Sequence, residues 1–179
     1  MFKDWENFYL IVGPSAGALI GLMFVVVTLT SSRDREQLEL GKHLYTSPIV
    51  FHLAVVLLFS GAAVAPTVDA RLFGGASAVI AVIGLGLTIR SAVGIWREKL
   101  SGPDSFFDMW WYGIIPALAY VGLGASGAAT LTEQSWSASA VAVALMVLLL
   151  VSIHAEWDLV TFLAPMAKEA ERKERKAKR

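Results

Sequence analysis

Marked as apolar or polar position by position, the chain falls into five long apolar stretches with short polar segments between them. They cover residues 8–30, 48–67, 72–96, 106–131 and 136–164. Each is near or above the roughly 20 residues that a helix needs to cross a hydrocarbon core of about 30 Å. None alternates strictly, as a barrel strand would, and in lipid only helices and closed barrels satisfy their own backbone. The pattern therefore predicts an all-α membrane protein. Residues 1–165 form a bundle of five transmembrane helices, and 166–179 form a charged tail. Local punctuation agrees. Ser47 and Pro48 suit the start of the second stretch, Ser105 and Asp108 form a capping-box pair ahead of the fourth, and Pro165 follows the fifth.

Cationic side chains orient the stack. With the N-terminus outside, the inner segments hold thirteen Lys and Arg residues, seven of them in the tail from Lys168 to Arg179, and the outer segments hold two, Lys3 and Arg71. Basic residues stay on the cytoplasmic side, so the expected topology is N-out and C-in. Trp5 and Trp136 then fall at the outer boundary, and Trp96, Trp110, Trp111 and Trp157 at the inner one, where amphipathic rings settle. The outer connections are short, which excludes an external binding domain. The tail carries Glu169–Lys173, Glu171–Arg175 and Glu174–Lys178 pairs four apart in the order that supports a helix. It reads as a cytoplasmic anchor that also meets anionic lipid headgroups.

Composition narrows the classes. The chain has 179 residues, 56% of them hydrophobic, zero formal net charge and no cysteine. Disulfides, thiolate metal sites and thiol nucleophiles are excluded. A short basic tail beside a membrane is not a nucleic-acid face, so no nucleic-acid partner is expected. The first stretch is too long for a signal-peptide core, its start mixes Lys3 with Asp4 and Glu6, and Arg33 and Arg35 follow it. It reads as a retained span.

Within that first stretch Gly13, Gly17 and Gly21 recur every four residues and share a helix face. A bare groove of this kind lets another backbone approach closely, either inside one protomer or between copies of the chain. A homo-oligomer built on this seam would place Ser15, Thr28 and Thr30 along a narrow pore. Other small-residue clusters, Gly74–Ala78 and Gly122, Gly124 and Gly127, read as packing sites, as does Gly84-Leu85-Gly86. Pro14, Pro66 and Pro116 are candidate kinks.

Counting at ~1.5 Å per residue puts Arg90 and His154 some ~27 Å from the outer ends of their helices. His52, Arg90, His154, Glu156 and Asp158 thus share a level near the inner boundary. His154 and Asp158, four apart, lie on one face, and Glu156 points elsewhere. Intramembrane ionisable groups mark function or pair with one another. One reading is a metal or proton-relay site of His52, His154 and Asp158, with a haem on the two imidazoles as a special case. The other is a salt-bridge layer in which Arg90 faces Asp158 or Glu156. Near the midplane only Ser15, Ser60, Tyr120 and Ser126 are polar, and such hydroxyls commonly bond a carbonyl of the preceding turn. No catalytic or phosphate-binding motif is present, no cofactor is expected, and a non-enzymatic role follows.

The segments Gly21-Leu22-Met23-Phe24-Val25-Val26-Val27-Thr28-Leu29 and Trp157-Asp158-Leu159-Val160-Thr161-Phe162-Leu163-Ala164 resemble parts of small polytopic bacterial inner-membrane proteins. The resemblance implies an inner-membrane location and draws attention to Trp157 and Asp158. It implies no activity. Two functions are expected on these grounds: a self-associating membrane protein that forms a small conduit, or an adaptor whose inner loops and basic tail dock a cytoplasmic partner.

Overall fold

A computed structural model describes residues 2–30, 47–98 and 109–177. A short 3-10 turn, Lys3–Trp5, leads into α1 (Glu6–Thr30). Then come α2 (Ser47–Val64), α3 (Ala70–Glu98), a π turn at Trp110–Ile114, α4 (Ile115–Leu131) and α5 (Ser137–Ala177). Among the described residues the protein is all-α, with five helices. Four described segments are long and apolar enough to cross a membrane: Lys3–Val26, Ala70–Gly94, Trp110–Leu131 and Ser137–Thr161. The apolar part of α2, Pro48–Val64, is shorter. By length and hydropathy this is a multi-pass membrane protein whose apolar helix faces meet lipid.

Helix ends follow local chemistry more closely than they follow hydrophobicity. α3 begins two residues before its apolar stretch because Asp69 caps it, Oδ1 accepting the Leu72 amide at 2.7 Å. α2 stops at Val64, short of the expected 67, because Pro66 has no amide to donate and biases Ala65 away from the helical region. α5 does not stop at 164 but runs as one helix to Ala177, through the stretch where Glu and Lys or Arg pair four apart. The expected cap at Ser105 and Asp108, the segment with Arg33, Arg35 and Lys42, and the side chains of the tail lie outside the described residues.

Helices pack where side chains are smallest. α3 and α4 meet along Gly74, Ser77, Ala81 and Gly84 on one side and Tyr120, Gly124, Gly127 and Leu131 on the other. A Cβ on Gly127 would lie 2.5 Å from Ser77 Cβ and 3.1 Å from the Gly74 carbonyl oxygen, and a Cβ on Gly84 would enter the Tyr120 ring. Apolar burial does not drive helices together in lipid, so this close approach supplies the dispersion contact that holds the pair. α1 packs on α2, and both pack on α5. Leu53, Val56, Leu123, Val141, Leu145 and Leu148 fill the space between the helices. Near the N-terminus Phe2 covers that end of the core, its ring 4.7 Å from Phe73, which meets Phe59 edge-on at 5.2 Å. Tyr9 Oη donates to the Ala138 carbonyl at 3.3 Å and ties α1 to the first turn of α5.

The turn from α4 to α5 is held by two backbone bonds. Gln134 N donates to Ala129 O at 3.0 Å and Glu133 N to Thr130 O at 3.2 Å, which together make a Schellman closure. The motif needs a left-handed residue at Glu133, where φ is 54°. That geometry costs a residue with a Cβ about 1–2 kcal/mol, while glycine adopts it freely at some cost in unfolded-chain entropy. Glu133→Gly is therefore expected to stabilise the protein by about 0.5–1 kcal/mol. Thermal unfolding in mild detergent checks this, and an unchanged or lower midpoint contradicts it.

Candidate functional site

Polar groups inside the bundle gather at two places, and a proline sets up one of them. Pro116 has no amide to offer the Tyr112 carbonyl four residues earlier. The chain widens by one residue there, and Ile115 N bonds instead to Trp110 O, five back. The widened turn sets Gly113 against Ala92 of α3, where a Cβ would lie 3.1 Å from the alanine methyl. It also presents Trp111 and Tyr112 to α5. The Trp111 indole stacks on the His154 imidazole, centroids 4.1 Å apart and planes inclined by 27°. Tyr112 Oη donates to Asp158 Oδ2 at 2.8 Å, and His154 Nε2 stands 3.4 Å from the same oxygen. Tyr112 and His154 thus flank one carboxylate directly, with Trp111 behind His154, and that carboxylate side chain is 43% exposed.

The second place lies deeper. His52 of α2 and Tyr120 of α4 are fully enclosed, and His52 Nδ1 and Tyr120 Oη share a hydrogen bond of 2.7 Å. The imidazole would be costly to bury alone, so the phenol makes its position tenable. The phenol ring in turn lies in the space left by Gly84, so one side chain connects α2, α3 and α4.

The residues singled out from the sequence are distributed as follows. His154 and Asp158 face each other across one helical turn. Glu156 turns into the bundle interior, 6% exposed, and among the described residues its Oε1 has no hydrogen-bond partner. His52 is paired with Tyr120 and not with His154 or Asp158. Arg90 is on the exposed face of α3, and among the described residues no ion pair joins it to Asp158 or Glu156. Among the described residues no group of three His, Cys, Asp or Glu side chains is placed to hold a metal ion. Gly13 faces Ser60 of α2, with 3.0 Å from its ideal Cβ to Ser60 Cβ, whereas Gly17 and Gly21 would meet nothing within 4 Å. Ser15 and Thr28 are on the exposed side of α1 and each donates to its own helix, to Ile11 O and Phe24 O at 2.8 Å. The Thr30 side chain lies outside the described residues.

Trp111, Tyr112 and the partnership of Tyr120 with His52 were not found from the sequence. A signal for the first two existed: a proline four residues after Tyr112 removes a helical bond inside an otherwise regular apolar stretch. Nothing comparable announces the Tyr120 contact, which joins residues 68 apart. No family model matches the chain, and neither do any curated protein or solved structure.

The two buried partners should depend on each other. Tyr120→Phe leaves His52 without its partner and is expected to cost about 1 kcal/mol or more. His52→Leu combined with Tyr120→Phe removes both polar groups and should cost less than the sum of the single changes. Unfolding of the two single variants and the double variant in the same detergent measures this coupling, and strictly additive effects would contradict it.

Proposed function

We propose that this multi-pass membrane protein is non-enzymatic, self-associates through the outward face of α1, and forms any small pore or solute conduit between copies. The observation that carries this reading is the division of one glycine seam. Gly13 is occupied by α2 of the same protomer, while Gly17 and Gly21 offer bare backbone to the outside. In lipid such a surface favours a second helix at close range. The interior of the single bundle supports the same view, since Tyr9, Leu53, Phe59, Tyr120, Leu145 and Leu148 fill it. A passage between copies would run past Ser15 and Thr28, both on the exposed side of α1. We place the N-terminus outside and the C-terminus inside on the distribution of Lys and Arg, and the protein in a bacterial inner membrane on the resemblance of its 21–29 and 157–164 segments to proteins of that membrane.

A second reading is favoured by α5. Its 41 residues measure ~62 Å, about twice a hydrocarbon core, so its last turns extend beyond the membrane as a charged helix. That arm suits an adaptor that docks a cytoplasmic protein or anionic headgroups.

Mass measurement in mild detergent tests the assembly. The natural chain is expected to run as an oligomer, and Gly17→Leu with Gly21→Leu as a single protomer whose unfolding midpoint is unchanged, because a Cβ at either position meets nothing within 4 Å in the protomer. Gly13→Leu should instead lower the midpoint, since it strikes Ser60. A natural chain already monomeric, or a double variant of unchanged mass, defeats the proposal. Conductance in planar bilayers that survives removal of 166–179 separates it from the adaptor reading, which predicts silent bilayers and a cytoplasmic protein retained only by the full chain.

A further inference from the structure

The crease between α4 and α5 has the shape and chemistry of a site for one lipid chain. It encloses about 540 Å³, within the usual range for small-molecule sites, and is lined by Leu118, Gly122, Trp136, Ala140, Val143 and Val147. Its depth comes from the small residues. Ser139, its one hydroxyl, is already bonded to Trp136 O at 2.8 Å, so the crease offers hydrocarbon surface and little else.

The lower end is different. Ile115, at the foot of the crease, is one turn from Trp111 and Tyr112. Val147 and His154 are seven residues apart and so lie on one face of α5. The carboxylate of Asp158, eleven residues past Val147 and on the same face, lies ~16 Å beyond the last lining residues, past the Trp111–His154 stack. One oxygen of that carboxylate, Oδ2, is engaged by Tyr112 and faces His154. No described residue donates to the other, Oδ1. A carboxylate only accepts, so the complementary head is a donor of positive charge. Trp110 and Trp157, both exposed at this level, mark the height at which lipid headgroups begin.

We propose that the α4–α5 crease binds a phospholipid with a primary ammonium head, its acyl chain along Gly122 and Ala140 and its ammonium on Asp158. The head chemistry decides among membrane lipids. A primary ammonium presents three N–H donors to the carboxylate. A trimethylated ammonium presents none, and an anionic head is repelled. The site is independent of the α1 face and does not require self-association.

The test uses the full chain in nanodiscs of phosphatidylethanolamine, phosphatidylcholine and phosphatidylglycerol in equal parts, all with the same acyl chains. Lipids still carried after transfer to detergent are counted by native mass spectrometry. Phosphatidylethanolamine is expected to exceed phosphatidylcholine about threefold or more, the scale of a partly exposed ion pair. Asp158→Asn should bring the two level. Gly122→Leu, whose Cβ would meet nothing within 4 Å in the protomer, should extend into the crease and lower phosphatidylethanolamine to its bulk share, with the unfolding midpoint unchanged. Equal retention of the three lipids by the natural chain overturns the proposal, as does a preference that persists in Asp158→Asn. A Gly122→Leu variant that changes oligomeric mass while keeping its lipid also overturns it, assigning the crease to a second copy.

Discussion

The wedge of Tyr120 under Gly84 is the contact on which the bundle depends. In water a helix bundle is held by removing apolar surface from solvent, but in lipid that drive is absent and helices associate through close packing and polar bonds. Tyr120 provides both at once. Its ring occupies the space where residue 84 has no side chain, and its hydroxyl reaches His52 at 2.7 Å. Backbone proximity between α3 and α4 is thereby coupled to polar satisfaction in α2. Any side chain at 84 would displace the ring and leave a buried imidazole without its bond, so steric and polar requirements select the same residue.

The end of the bundle near Trp111 is arranged by a missing donor. Pro116 cannot close the helical bond to Tyr112 O, and the π turn that results moves Trp111 and Tyr112 onto α5, where they hold His154 and Asp158. The cluster is thus a consequence of one backbone constraint propagated across a helix interface. Glu156, two residues from each of the paired groups, takes no part in it, since a two-residue step along a helix turns a side chain to the far side.

Much of the architecture was legible because lipid imposes a strict rule on the backbone. Five predominantly apolar stretches correspond to the five described helices, with boundary differences of a few residues where a cap or a proline intervened, as at Asp69 and Pro66, and a larger one where α5 continues to Ala177. The face shared by His154 and Asp158 was legible for a similar reason, because helical spacing alone brings them together. Contacts between helices were not, since hydropathy carries no information about which stretches become neighbours. Hydroxyls illustrate the limit. Ser15 and Ser126 bond carbonyls in their own helices, as local chemistry suggests, whereas Tyr120 finds His52 and the buried Ser60 hydroxyl has no partner among the described residues. The latter two outcomes are set by tertiary packing, and the same residue types can go either way.

Glycine usage extends this reasoning past the protomer. Within a helix glycine costs about 1 kcal/mol relative to alanine, so its presence calls for a compensating close approach. At Gly74, Gly84, Gly124 and Gly127 the compensation is visible, because a Cβ would strike or crowd the neighbouring helix. At Gly17, Gly21, Gly61, Gly75, Gly86 and Gly122 it would strike nothing in the protomer. Of these, Gly17 and Gly21 continue a seam whose first member, Gly13, is already used, and Gly122 lies in the apolar crease between α4 and α5. Close approach there benefits only a body outside the single chain, and the two surfaces differ in shape. The α1 face is a row of bare backbone suited to another helix, while the α4–α5 crease is hydrocarbon-lined, with the Asp158 carboxylate further along α5, which is the arrangement the lipid proposal uses.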